Sequence, residues 1–174
     1  MKIRRTLAVV LLIAGGAPSR AEQGVPTVAF VGMTIINSSL EPTSDQEWTR
    51  LNRIESDLKS LLEKSGRYRF LSLPPGVATA TAGHPDISGC NGCQIGWGRE
   101  AGADLVMWGT VQKVSNLILN INVYLDDVKS GRKYLGTSVD IRGNTDESWS
   151  RGIRYLVENN LLRDWTDTDN AKPR

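Results

Sequence analysis

Two cysteines, Cys90 and Cys93, enclose Asn91-Gly92 and form the sharpest chemical pattern in the chain. In an oxidising compartment such a pair closes a short disulfide loop. A thiol-exchange site is the other reading, because a helix beginning there lowers thiol pKa values. Gln94 stands where covalent haem attachment would require His, and His84 is the one imidazole, so zinc lacks soft ligands. Five carboxylates, Asp126, Asp127, Asp140, Asp146 and Glu147, fall at strand and helix ends and could hold a hard cation through oxygen. They lack EF-hand spacing, and Asp146 with Glu147 also suits the positive end of a helix. Amides at Gln112, Asn116, Asn120 and Asn122, with Arg142 and Asn144 in a polar turn, could form a hydrogen-bonding surface for a partner. A solvated sheet face accounts for the amides with no further explanation and is the simpler reading.

Catalysis finds little support. A lone His in a Pro/Gly-rich stretch supplies no nucleophile-base pair, and neither a Gly-x-Ser-x-Gly elbow nor a phosphate-binding glycine loop is present. No cofactor is expected.

The compartment follows from the first residues. Lys2, Arg4 and Arg5 precede the apolar run Leu7–Ala14, and Ser19-Arg20-Ala21 supplies a cleavage site. Residues 1–21 therefore read as a signal peptide, too short to span a bilayer, with cleavage after Ala21 and export to the periplasm. The segment carries four basic and no acidic residues, so its removal turns the formal charge from +2 to −2. Nucleic acid and anionic membrane are then poor partners.

The elements that must position these residues form one α+β domain over 22–166, with 167–174 a flexible tail. Val25–Val31 reads as a buried strand. Ser44 and Glu47 form a capping box, and Trp48, Leu51, Ile54, Leu58, Leu61 and Leu62 make one face of a helix that ends at Ser65-Gly66. Tyr68–Leu73 is a second strand, and residues 74–89 form a surface loop. A helix over 94–102 leads into a strand over 104–114. Leu117, Leu119, Ile121, Val123 and Leu125 alternate with polar residues, the clearest strand pattern in the chain. A hairpin at Lys129–Arg132 returns along 133–141. Asn144 with Glu147 caps a last helix bearing Trp149, Ile153, Leu156 and Val157, where Gly152 allows close approach to the sheet. Trp48 and Trp149 belong to the core, while one of Trp97, Trp108 and Trp165, if exposed beside the amide face, would mark an interface. The order is β-α-β-α-β-β-β-α, a mixed sheet of about five strands with helices on one face.

Arg99-Glu-Ala-Gly-Ala-Asp-Leu-Val-Met-Trp-Gly-Thr-Val111 and Tyr124-Leu-Asp-Asp-Val-Lys-Ser-Gly131 resemble the N-terminal domain of the TolB family. They also resemble the related periplasmic modules of curli secretion channels and flagellar outer-membrane assembly lipoproteins. Cys90–Cys93, Val111–Asn122 and Val139–Trp149 resemble a family of small exported proteobacterial proteins of unassigned function. Propeller repeats and membrane strands are missing, so neither the TolB nor the channel complex is implied. With an export signal and no catalytic constellation, the expectation is a non-enzymatic periplasmic accessory domain that binds a cell-envelope protein. A second reading is a small-ligand or hard-cation (calcium or lanthanide) carrier or sensor serving a periplasmic quinoprotein dehydrogenase. A third is a thiol-disulfide oxidoreductase using Cys90 and Cys93.

Overall fold

The structure, a computed structural model, describes residues 24–83 and 85–163. The expected signal peptide, the tail after residue 166, His84 and Trp165 lie outside the described residues. Five strands form one sheet in the order β2-β1-β3-β4-β5. They are β1 (Thr27–Asn37), β2 (Arg69–Phe70), β3 (Leu105–Lys113), β4 (Ile118–Asp127) and β5 (Lys133–Arg142). β1 runs parallel to β2 and β3, while β3, β4 and β5 form an antiparallel meander. The helices are α1 (Asp45–Lys64), α2 (Pro75–Thr81), α3 (Cys93–Glu100) and α4 (Asp146–Leu156). A 3₁₀ turn covers Ile87–Gly89 and a π-helical turn covers Val157–Leu161.

The mixed α+β sheet expected from the sequence is thus present. Alternation along the strands sends Leu105, Met107 and Val111 to one face, where α1 and α4 bury Leu51, Ile54, Leu58, Trp149 and Ile153 against them. Val31, Val106 and Val128 gather a second apolar cluster with Val77 and Ile87. The short helices α2 and α3 belong to this cluster, so one corner of the second face is covered too.

Residues 74–89 are therefore not the surface loop that their composition suggests. Pro75 occupies the first turn of α2, where its missing N–H removes nothing the helix would use. Val77 and Ile87 are buried and fasten the segment to the sheet. Two strand limits also move. β1 runs on past Val31 through an irregularity between Phe30 and Met33, and the second strand keeps only two residues.

Gly152 behaves as its place on the apolar stripe requires. A Cβ there would lie 2.5 Å from Ile141 Cγ2 and 3.1 Å from Ile121 Cδ1. Replacing Gly152 by Ala should therefore cost about 1–3 kcal/mol through overpacking. Gly96 lies on α3 with open space around it, so Gly96→Ala should leave stability unchanged or raise it by up to about 1 kcal/mol. Urea titrations of the two variants check the contrast.

Candidate functional site

At one pole the carboxyl ends of β1 and β3 meet the amino ends of α1 and α4. Three connections close over them: residues 38–44, 114–117 and 143–145. Ser44 caps α1 as expected, its hydroxyl accepting the Glu47 N–H while the Glu47 carboxylate accepts the Ser44 N–H at 2.7 Å. The same carboxylate has a second task that local spacing does not reveal. Glu47 Oε1 lies 2.7 Å from Lys113 Nζ, with both side chains only 2% exposed. Lys113 is the last residue of β3, and its carbonyl accepts the Ser38 N–H at 2.9 Å.

Asn144 ties this ion pair to the surrounding loops. Its amide donates to Glu47 Oε1 at 2.6 Å and to Asn116 Oδ1 at 3.1 Å. Its carbonyl oxygen accepts Trp149 Nε1 at 2.9 Å and Arg50 Nη1 at 3.2 Å. Asn116 in turn donates to Glu41 Oε2 at 2.6 Å. Asn144 is thus a hub rather than the cap of α4. That cap is Thr145, which forms a capping box with Ser148. The hydroxyl of Thr145 serves the Ser148 N–H, so Asn144, one residue earlier, is free to reach across to α1.

Burial alone would raise the Glu47 pKa. The hydrogen bonds from Lys113, the Ser44 backbone and Asn144 outweigh it and hold the carboxyl below its usual range. Asp146, at the first turn of α4, is likewise held low by hydrogen bonds from Arg50 and Arg53, each at 2.8 Å. Every buried side-chain polar atom among the described residues has a partner, so the loops are held in one arrangement.

An apolar crown sits on this frame. Leu40 is fully exposed, Leu117 is 72% exposed, and Val114 and Ile118 are exposed beside it. A cleft of about 500 Å³ opens between the loops, with Pro42, Leu117 and Gly143 at its walls and the Lys113–Glu47 pair within its lining. A larger groove of about 620 Å³ lies between α1 and α2, but its Glu55 already accepts the Met33 N–H.

Of the residues singled out for a binding surface, Gln112, Asn116, Asn120, Arg142 and Asn144 lie at or next to this pole. Asn116 belongs to the β3–β4 turn rather than to a strand. Gln112 and Asn120 are paired across β3 and β4, and Asn120 donates to Asp140 Oδ1 at 2.8 Å. Asn122 is different. It is buried and donates to Thr110 Oγ1 at 3.1 Å, so it displays no amide.

The five carboxylates do not converge. Asp126 is buried and accepts from Gln94 and Trp108. Asp127 accepts from the Ser130 hydroxyl and from the Ser130 N–H in the hairpin turn, which hold its pKa low. Asp140 serves Asn120, Asp146 serves Arg50 and Arg53, and Glu147 pairs with Arg151 at 3.5 Å. Among the described residues no group of three or more His, Cys, Asp or Glu side chains could hold a metal ion.

Cys90 and Cys93 are joined in a disulfide, with Cα atoms 5.6 Å apart. Asn91 and Gly92 between them both take positive φ, 52° and 95°, and Cys93 opens α3. The closed loop is short, so loop-closure entropy gives it at most about 2 kcal/mol. Cys90→Ser with Cys93→Ser should lower unfolding free energy by no more than that, as measured by urea titration under oxidising conditions.

The fold and pole define an α+β module with a buried ion pair under a loop-built surface. Structures with the same fold include the C-terminal domain of LpoB from Salmonella enterica. It has 15% identity and a TM-score of 0.50, over 71% of this chain and 87% of that one. Lipoprotein GNA1162 from Neisseria meningitidis aligns over 81% of this chain and 99% of its own, with 15% identity and a TM-score of 0.52. TolB from Acinetobacter baumannii aligns over 79% of this chain and 28% of its own, with 15% identity and a TM-score of 0.42. No curated protein matches the sequence. Residues 26–161 match DUF3280, described as a protein of unknown function (DUF2380), and the chain belongs to that family.

Proposed function

We propose that this protein is an exported, periplasmic, non-enzymatic accessory domain that binds a protein partner of the cell envelope through the loop pole. The observation that carries the reading is the crown of Leu40, Val114, Leu117 and Ile118 on a fully hydrogen-bonded frame. Exposed aliphatic side chains grouped on interlocked loops lose little conformational freedom on docking, which favours association. The ring of Glu41, Asn116, Arg142 and Asn144 gives the polar rim such interfaces carry. Among the described residues no helix is long and apolar enough to cross a membrane. The signal-peptide pattern at residues 1–21 and the likeness to a neisserial lipoprotein support the compartment.

A photo-crosslinking amino acid at Leu117 or Leu40 tests this in the source cells. The expected result is one discrete adduct with a second, different protein, absent when the probe replaces Lys129 in the hairpin at the far end. Equal labelling at Lys129, or no adduct from either pole position, would contradict the proposal.

A further inference from the structure

The outer edge of β5 is open in a way the loop pole does not require. Gly143 N–H bonds to the Leu117 carbonyl at 3.1 Å, and the β4–β5 register runs from Ile118↔Arg142 to Leu125↔Leu135. In an antiparallel ladder, residues that exchange both backbone bonds alternate with residues that exchange none. From Leu135 to Ile141 the odd-numbered residues of β5 therefore bond to β4. Gly136, Ser138, Asp140 and Arg142 turn their N–H and C=O groups outward. Among the described residues these outward groups have no hydrogen-bond partner.

Sheet edges are normally blunted by proline, by a central bulge, by shortness or by charged side chains. The charges of β5, Lys133, Asp140 and Arg142, lie toward its ends and are of both signs, so the stretch from Tyr134 to Val139 is uncharged. β5 is ten residues long and contains no proline, and its one register shift sits at the far end, opposite Leu125 and Asp126. Beside the edge lies a groove of about 380 Å³ walled by Val139, Ile141, Arg151 and Tyr155. Tyr155 is 55% exposed. Tyrosine and arginine are the residue types that interfaces concentrate.

We infer that β5 pairs antiparallel with β5 of a second copy of this chain, joining two sheets into one across a two-fold axis at Val139. The outward stretch from Gly136 to Arg142 is centred on that residue. The axis places Ser138 opposite the partner's Asp140 and Val139 opposite the partner's Val139. Thr137 meets the partner's Ile141, and Gly136 meets the partner's Arg142. Hydroxyl faces carboxylate and β-branched side chains face each other, both favourable in cross-strand pairs, and no like charges stand directly opposite; the two Asp140 carboxylates are diagonal neighbours. The four outward residues of each copy exchange about eight backbone hydrogen bonds, within the usual range for a specific interface. An unrelated strand would gain those backbone bonds alone. The second copy adds the matched side chains.

Sedimentation equilibrium of the protein purified from cells tests the assembly, at roughly 1–100 µM, a range that spans typical weak self-association. The expected mass at the upper end is twice that of one chain. Ser138→Pro removes an N–H that the fold itself does not use, and Ser138→Glu sets a like charge directly opposite the partner's Asp140. Each should weaken dimerisation by about tenfold or more. Val139→Cys should form an interchain disulfide under mild oxidation, while Ser130→Cys in the hairpin turn should not. If Ser138→Pro fails to fold, Ser138→Glu and Val139→Cys decide the matter. A chain that stays monomeric throughout, a dimer that survives the Ser138 substitutions, or unlinked Val139→Cys would each overturn the inference. Crosslinking at Leu117 is unaffected by any of these outcomes.

Discussion

Glu47→Gln should lower the unfolding free energy by about 3–5 kcal/mol, since it leaves the Lys113 ammonium buried without its counter-charge. Glutamine keeps the size of the side chain and can still accept from Ser44, so the loss reports the charge rather than the cap. Lys113→Met should be costly for the mirrored reason, because the carboxylate stays buried beside the Ser44 N–H and Asn144. Combining Glu47→Gln with Lys113→Met should recover much of the loss, giving a coupling energy between the two positions of up to about 3 kcal/mol. The acid limb carries a second signature. Glu47 has a lowered pKa in the folded protein, so its contribution is present above the unfolded carboxylate value of about 4.3. It is lost as pH falls through the folded value. Stability of the native protein should therefore drop on acidification below about pH 4.3, and that of Glu47→Gln should drop less. Urea titrations from neutral pH downward read both effects.

Trp149→Ala is the second large effect, at about 3–5 kcal/mol. The indole is 1% exposed between α4 and the sheet, and its N–H donates to the Asn144 carbonyl oxygen at 2.9 Å. Trp149→Phe keeps most of the apolar contact and removes only the donor. Asn144 still accepts from Arg50, so this variant should lose about 1 kcal/mol from the hydrogen bond and a further cavity cost. Equilibrium unfolding followed by far-UV circular dichroism separates the two variants. The larger loss in Trp149→Ala should leave the disulfide end unchanged, because Cys90 and Cys93 pack on the other apolar cluster.

The parts of the fold legible in the sequence are those whose signal is local. The capping box at Ser44 and Glu47, the alternation from Leu119 to Leu125 and the small residue at Gly152 each declare themselves within a few positions. The Lys113–Glu47 pair does not, because the capping box already gives Glu47 a partner and nothing nearby asks for another. Asn144 misleads for the same reason. It precedes a helix and looks like a cap, yet Thr145 takes that role and releases it to bridge two helices and a turn. The segment 74–89 hid its helix because Pro75 resembles a break and Val77 is its one buried residue. A clue was nonetheless present. Val28-Ala29-Phe30-Val31 and Leu105-Val106-Met107 are continuous apolar runs, the mark of strands covered on both faces. Something had to lie over Val31 and Val106. The disulfide was readable from spacing, and the scattered carboxylates show that nearness to element ends does not bring side chains together.

The pole as a docking surface is tested most directly by the affinity of the protein crosslinked at Leu117 for the purified chain. Leu117→Asp and Leu40→Asp should each weaken that binding by about tenfold or more, with the unfolding midpoint unchanged because both side chains are exposed. Ser138→Glu at the β5 edge should leave the affinity of each chain for that partner as it was. Unaltered affinity in Leu117→Asp and Leu40→Asp together would contradict the assignment of the pole.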